Sequence, residues 1–500
     1  MQTEKISVLG TIPTSPAVSL AGYDHLLRSG TIMVVVLLSA AVFYRMPGIF
    51  GGAREEVGGW FLVIGTLTAY FQGYKALQSA PDNSTRRRAI IGFAIAFCLL
   101  ALLIPPFFST DVYCYGNVGW QQVKYDVNPY VYSLSETPNW RNDPMFCHEW
   151  EEAPCAYGFL FSELAYAIGW LGGGDRLFTA LLFKLVNVAV FGATGWLIWR
   201  GCKHWKRPNP ELALYLFLWN PLLLLHVVAD GHNDLMMGLC TAACILCLLE
   251  SKWLVAIPLL MAGVLVKYGS AALLPFFLLY LGNRYGKAKA AVGLVLGLAF
   301  TAAIAAPYLV QDWRHLALGR IAQNASMWRD YTLAAFLFYP YDIVSQLFPT
   351  LAPYRLQVMS AIKLILWTGF LAFYLRLLVV RLRSSYDLSK LLYDSVLVQF
   401  VLVCFVSCKF FPWYLGMFLP LAYWMPAGGK LKHAVLAVAA AQMLQFTFLR
   451  SAEGINTVIL LLGPLAYVLF LPPEKNPWLD HASKKLSNLR DKTLSAVSRA

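Results

Sequence analysis

Apolar stretches of roughly 20 residues, the length needed to cross a bilayer as a helix, recur along this chain. That recurrence restricts its folds more than any other feature. FKLVNVAVFGATGWLIW at 183–199 and VGLVLGLAFTAAIAA at 292–306 are examples. With 58% hydrophobic and 13% charged residues and a mean hydropathy of +0.57, the composition is far from the roughly 25% charge of a soluble domain. In hydrocarbon every backbone N–H and C=O must be satisfied within the segment or within a closed barrel. Barrel strands would show alternating polarity over about ten residues, and no such segments recur. The chain is therefore expected to be an all-α polytopic membrane protein with about 12–14 transmembrane helices.

Spans are expected at 29–45, 58–76, 89–107, 177–199, 211–229, 234–250, 253–266, 270–282, 288–308, 357–381, 390–407, 413–427, 433–450 and 455–471. Several are short, which a membrane protein tolerates where protein or a water-filled cavity covers the backbone. Met1–Arg28 is polar and mixed, so no cleaved signal is expected. With both termini in the cytoplasm of a multi-pass plasma-membrane protein, 26 of the 40 Lys and Arg fall inside and 12 outside. That bias sets the orientation. It also accounts for most of the net charge of +13 without nucleic acid. Three parts follow: residues 1–88, a tail and two spans; 89–471, a membrane core with external loops at 108–176 and 309–356; and 472–500, a basic cytoplasmic tail suited to anionic lipid.

The external loop opening at FSTDVYCYGNVGWQQ is polar and acidic, with seven of the chain's 27 carboxylates between 108 and 158. Residues 159–171 are amphipathic and short, as an interfacial helix would be. An oxidising exterior would allow a Cys147–Cys155 bridge, although no motif spacing supports it. Asp111 stands at the membrane edge, just after Pro105-Pro106. It reads either as a helix cap or as a general base taking a proton from a sugar hydroxyl, with burial raising its pKa toward the working pH.

Three further junctions are polar: HVVADGHND at 226–234, Lys267-Tyr268-Gly269, and CKFFPWY at 408–414. All should lie at the face that carries the loops. His232 and Asp234 could ligate a metal, but two ligands at this spacing are a weak signal, and substrate contacts are favoured. Lys267, Arg320, Arg329 and Lys409 read either as snorkelling side chains or as partners of a phosphate leaving group. The loop aromatics fit an interfacial belt or sugar stacking. The sequon Asn324-Ala325-Ser326 faces outward. No nucleotide-binding loop, GxGxxG, HExxH or GxSxG is present.

Ser109-Thr110-Asp111-Val112-Tyr113, Gly119-Trp120, Val127-Asn128-Pro129-Tyr130, Trp219-Asn220-Pro221, Gly231-His232-Asn233-Asp234, Val266-Lys267-Tyr268 and Phe411-Pro412-Trp413-Tyr414 occur in that order around the spans. The arrangement resembles the GT-C superfamily of integral-membrane glycosyltransferases. Within it, the chain is similar to the bacterial polyprenyl-phosphate-mannose-dependent α-mannosyltransferases of the GT87-like group. The resemblance spans roughly residues 90–470, with the first two spans ahead of it. Ala156-Tyr157-Gly158 stands where relatives carry a Tyr-Pro-Pro-type segment.

The resemblance implies a GT-C fold and an inverting transfer of a sugar, mannose favoured, from a polyprenyl-phosphate donor to a glycan or glycolipid acceptor on the extracytoplasmic face. It implies Asp111 as the base. The donor and acceptor are then expected to meet Tyr113, Trp120, Asn128, His232, Asn233, Asp234, Lys267, Tyr268, Arg320, Lys409, Trp413 and Tyr414, with no cofactor and no essential metal. The competing class is a transporter or flippase of lipid-linked sugars. That class should show half-repeats and carboxylates at mid-span. The mid-span charges here are only Lys184 and Lys363, and no internal repeat is visible.

Overall fold

The computed structural model describes residues 16–45, 54–78, 82–147, 149–207, 209–310, 314–316, 318–319, 332–426, 429–445 and 456–470. Arg320, Arg329, the sequon and the tail 472–500 lie outside the described residues. Helices are the regular secondary structure throughout the described chain, as an all-α polytopic membrane protein requires. Six of them are long and apolar enough to cross a membrane: Gly22–Phe43, Arg176–His204, Pro210–Ala229, Lys287–Leu309, Pro349–Leu382 and Leu388–Val406.

Burial grades the six from the inside of the protein outward. The most apolar window of Pro210–Ala229 is 83% buried, whereas that of Pro349–Leu382 is 0% buried. The outer helices bare Leu, Ile and Val side chains such as Val295, Leu364 and Ile365. In water such faces would drive aggregation, but a lipid environment solvates them.

Where the expected spans fall on described residues they lie on helical segments, although 211–229 is interrupted after Leu218 and 270–282 opens as a 3-10 turn; residues 446–450, 455 and 471 lie outside the described residues. Two differences are larger. Helix α1 (Pro16–Phe43) begins well before Ser29. The segment 413–427 is not one helix but a 3-10 turn, Pro412–Met417, followed by Leu419–Ala422. Pro412 and Pro420 each lack a backbone donor, which breaks helical pairing there. The break is tolerated because Leu419, Leu421 and Trp424 are fully buried in protein.

Helices α2 (Arg54–Leu77) and α3 (Ser84–Leu103) complete the first layer. The two helices before residue 88 share the core with the rest. Tyr215 Oη donates to the carbonyl of Tyr70 (2.6 Å), and Tyr70 Oη donates to that of Leu216 (2.8 Å). Lys184, on α6 (Arg176–His204), donates to the carbonyl of Ile104 at 2.6 Å. This explains a cation at mid-span: it satisfies the end of α3, where Pro105-Pro106 stop the helix.

Two short helices cover the site. α4 (Asp111–Tyr125) and α5 (Phe159–Gly172) cross backbone to backbone, because a Cβ at Gly119 would lie 1.9 Å from the carbonyl oxygen of Ala165. α5 is the helix expected at 159–171. The two residues before it are anchored from outside the loop: Gly158 N–H donates to the carbonyl of Val266 (3.1 Å), and Tyr268 Oη donates to that of Tyr157 (3.0 Å). The Ala156-Tyr157-Gly158 segment thereby joins the 266–268 junction.

Candidate active site

The site begins where three helices stop. α3 ends before Pro105-Pro106, and the chain re-enters a helix at Asp111, with Ser109 Oγ accepting from Asp111 N–H at 3.2 Å. Thr110 is the cap position and makes no side-chain cap bond. Asp111 is thus the first helical residue rather than the cap, and its carboxylate points away from the helix ladder. Oδ1 accepts from the indole N–H of Trp150 at 3.4 Å, and Oδ2 lies 3.8 Å from His232 Nδ1.

The second stop follows α7 (Pro210–Leu218). Trp219-Asn220-Pro221 interrupts it, Asn220 caps the continuation by accepting from Leu222 N–H (3.0 Å), and a π-helical turn, Leu224–Ala229, widens the last turn. Gly231 then takes φ +85°, and a Cβ there would also meet Val112 at 2.8 Å. Only glycine adopts that conformation without strain. The turn delivers His226, Asp230 and His232 to one place. Asp230 accepts from the N–H groups of Phe107 and Phe108 (2.8 and 3.2 Å) and pairs with His226 (3.1 Å). It therefore holds the segment leading into Asp111.

The third stop is the end of α9 (Ala256–Val266), where Lys267 turns to an extended conformation. Its ammonium donates to Asp234 Oδ1 at 2.5 Å and sits 4.0 Å from the centre of the Tyr414 ring. Asp234 opens α8 (Asp234–Leu249) and is fully buried, whereas Lys267 keeps 20% of its side-chain surface. The pair is therefore a buried carboxylate tethering a cation whose other side is open. His232 stacks on Trp413 at 3.6 Å and 11°, and Trp413 stacks on Phe411 at 4.6 Å. Lys409 lies 4.5 Å over the Trp150 ring.

Three polar groups in this cluster are buried without a protein partner: His232 Nε2, both amide atoms of Asn233, and Asp234 Oδ2. Unsatisfied buried groups are rare and costly, and where they gather they mark a ligand or solvent site. Burial pushes His232 well below the usual imidazole range, helped by the charges of His226 and Lys267, so the ring is neutral. Asp111 is pushed up to about 6, first by burial and then by the charge of Glu149, against the Trp150 hydrogen bond and Lys267. Its side chain keeps 18% of its surface. A half-desolvated carboxylate titrating near neutrality, reachable from solvent, is suited to taking a proton.

Among the expected site residues, the structure brings together Asp111, His232, Asn233, Asp234, Lys267, Trp413 and Tyr414, with Lys409 against Trp150. Tyr268 lies beside them on Tyr157. Three are elsewhere and have structural partners. The Tyr113 ring lies under Arg176 (4.1 Å). Trp120 donates to Asp143 (3.2 Å), which Lys124 and Tyr125 also contact (2.7 and 2.6 Å). Asn128 donates to the Tyr308 carbonyl and accepts from Tyr130 N–H. Cys147 does not meet Cys155. Its sulfur lies 3.1 Å from that of Cys114, and Cys155 faces Ser162 (3.4 Å). Sequence reasoning passed over Tyr115, whose hydroxyl is 3.4 Å from His232 Nδ1. Its position four residues after Asp111 on one helix was the available signal. Trp150 carried no such signal. Among the described residues, no group of three or more His, Cys, Asp or Glu converges as metal ligands would.

Comparison with known proteins bears on this arrangement. The family model described as "Alpha-(1->6)-mannopyranosyltransferase, N-terminal domain" matches residues 21–283. That range begins within the first two spans and holds every junction of the site except Lys409–Tyr414. Alpha-(1->6)-mannopyranosyltransferase A of Corynebacterium glutamicum is 27% identical over 213 residues, 41% of this chain and 42% of that protein. The protein of the same description from Mycobacterium tuberculosis is 27% identical over 241 residues, 44% of this chain and 46% of its own length. A second mannopyranosyltransferase of M. tuberculosis is 33% identical over 156 residues, 28% and 24% of the two chains. The chain thus matches less than half the length of these relatives. With more than half of its own residues matched by the family model, the chain belongs to the alpha-(1->6)-mannopyranosyltransferase family.

Proposed function

We propose that the protein is an inverting mannosyltransferase that draws its sugar from a polyprenyl-phosphate donor and passes it to a glycan or glycolipid acceptor on the extracytoplasmic face of the plasma membrane. The observation that carries this reading is the juxtaposition of Asp111, raised to about 6, with the open side of Lys267 and the unpartnered polar atoms of His232, Asn233 and Asp234.

In the proposed reaction Asp111 accepts the proton of an acceptor hydroxyl as that oxygen attacks the anomeric carbon. The bond from that carbon to the donor phosphate breaks, and the phosphate leaves with the electron pair. A single displacement inverts the centre, so an α-linked product of the kind the relatives are named for demands a β-linked donor. Lys267 compensates the phosphate as it gains charge, an arrangement worth far more in a site shielded from water than in solution. The unpaired atoms of His232 and Asn233 supply hydrogen bonds to sugar hydroxyls, and the half-buried Tyr414 ring supplies a face for stacking, while Trp413, stacked between His232 and Phe411, holds the His232 ring in place. The Lys and Arg bias of the sequence supports the external side for this cluster.

Purified protein in lipid nanodiscs, given radiolabelled polyprenyl-phosphate mannose, glucose or arabinose and a mannan-type acceptor, tests the reading. Transfer from the mannosyl donor with inversion, absent in D111N, is expected. Release or translocation of the donor without a new glycosidic bond would overturn it in favour of a transporter.

A further inference from the structure

Cys114 lies on α4, one turn after Asp111, and its sulfur is 3.1 Å from Cys147 Sγ and 3.2 Å from the Glu149 carbonyl oxygen. A disulfide needs about 2.05 Å, so the two sulfurs stand about 1 Å from bonding with no backbone between them. Cys147 is 4% exposed. The hydrogen bond from Cys114 holds the Cys147 thiol below its ordinary range, and the charge of Arg176 adds to that. Beyond Cys147 the chain runs to Trp150, which has φ +63°, a left-handed conformation that a bulky residue keeps only when held on both sides. From there the Trp150 indole reaches Asp111, and its ring lies under Lys409.

We propose that Cys114 and Cys147 form a disulfide on the oxidising side of the membrane, clamping the Trp150 arm over Asp111. The proposal rests on the external placement argued above. The co-reactant is an external disulfide, borne by an oxidoreductase or a small molecule. The Cys147 thiolate attacks one of its sulfurs and releases the first thiol. Cys114 then gives up its proton and attacks Cys147 Sγ, which releases the second thiol and closes the bond. Two electrons pass to the external disulfide, which leaves as two thiols. The clamp is a positioning device: it fixes the indole hydrogen bond and the wall that desolvates Asp111, and takes no part in the transfer.

The test has four readouts on the full chain. Cells quenched in acid and alkylated before extraction should yield, without reduction, a Cys114–Cys147 linked peptide. Free alkylated Cys114 and Cys147, or a Cys147–Cys155 peptide, would overturn the proposal. Reduction of the purified protein should lower kcat/KM for transfer about tenfold, the scale expected when a catalytic group loses its positioning. The double variant C114S/C147S should start at the reduced level and ignore reductant, and C155S should respond as wild type does. A wild type indifferent to reduction would overturn the clamp.

Reduction should also move the acid limb of the pH profile downward, since burial and Glu149 are the main causes that raise Asp111. An unmoved limb would count against positioning. Finally, a membrane-impermeant phosphine and maleimide on intact cells should label both cysteines. Labelling only after permeabilisation would sink the external placement together with the clamp. Labelling without prior reduction would sink the disulfide alone. Absence of transfer in every form, with the linked peptide present, would refute only the proposed transferase activity.

Discussion

Replacing Asp111 by Asn separates chemistry from stability, because the two should move in opposite directions. Loss of a positioned general base costs roughly 10²–10⁴ in rate, so kcat/KM should fall by that factor, about 3–5.5 kcal/mol of transition-state stabilisation. The folded state, however, holds this carboxylate charged at a cost. Its pKa rises from 3.8 to about 6 on folding, and each pH unit corresponds to about 1.4 kcal/mol. The burden at neutral pH is therefore on the order of 3 kcal/mol as an upper figure, given the 18% of side-chain surface still exposed. The sign follows from proton binding. Between about 3.8 and 6 the folded chain binds more protons than the unfolded one, so the stability contributed by this group falls as pH rises through that window. An uncharged amide removes the burden. D111N should therefore lose transfer while its thermal midpoint in detergent at pH 7.5 stays level or rises. Wild-type kcat/KM should also climb through an apparent pKa near 6. A D111N protein with activity within twofold of wild type would refute the base assignment. Loss of activity with a clearly lowered midpoint would refute the account of a strained carboxylate.

The remaining expectations can be checked with the same protein. His232→Phe keeps a ring on Trp413 but removes the unpartnered Nε2, so donor KM should rise about tenfold, the scale of one lost hydrogen bond, with the fold intact; unchanged donor kinetics would remove His232 from the site. Lys267→Met strands the buried Asp234, and loss of one partner of a buried pair costs about 3–5 kcal/mol. A lowered thermal midpoint and weakened donor use are expected, and Lys267→Arg should recover more of both than Lys267→Met; equal behaviour of the two variants would deny Lys267 its charge role. EDTA dialysis should leave transfer within twofold, and metal-restorable loss would show a cation that Lys267 does not replace. Gly119→Leu places side-chain atoms where Gly119 meets the Ala165 carbonyl, and the separation of α4 from α5 should appear as poor folding yield; normal yield and activity would show the crossing to be loose.

Much of the site could be placed in sequence as separate fragments. Asp111, His232, Lys267 and Trp413 each stood at a helix break flagged by proline or glycine, since such breaks are visible locally. Tyr113, Trp120 and Asn128 enter through the motifs of the resemblance, and in the structure they contact Arg176, Asp143 and Tyr308 rather than the cluster around Asp111. Spacing along a helix distinguishes them only after the helix start is known: Tyr115 shares the Asp111 face and Tyr113 does not. The pairing of Cys147 with Cys114 rather than Cys155 went unseen for a related reason. Cys114 lies on a helix and Cys147 in an irregular loop, so no periodicity links them.

Hydropathy by itself determined that this chain is helical and membrane-spanning, because the cost of an unpaired backbone in lipid is paid residue by residue and is written in local composition. Several positions where helices end were legible as well, because proline and glycine break helical pairing locally. Which ends meet was decided only by tertiary packing. Asp111 and His232 are separated by more than a hundred residues, and His232 from Trp413 by still more, so their contact depends on how glycines such as Gly119 and Gly231 let helices close and on how Asp230 holds the approach to Asp111. The raised carboxylate at 111, the cation held at 267 and the arm ending in Trp150 exist as a site only through that closure.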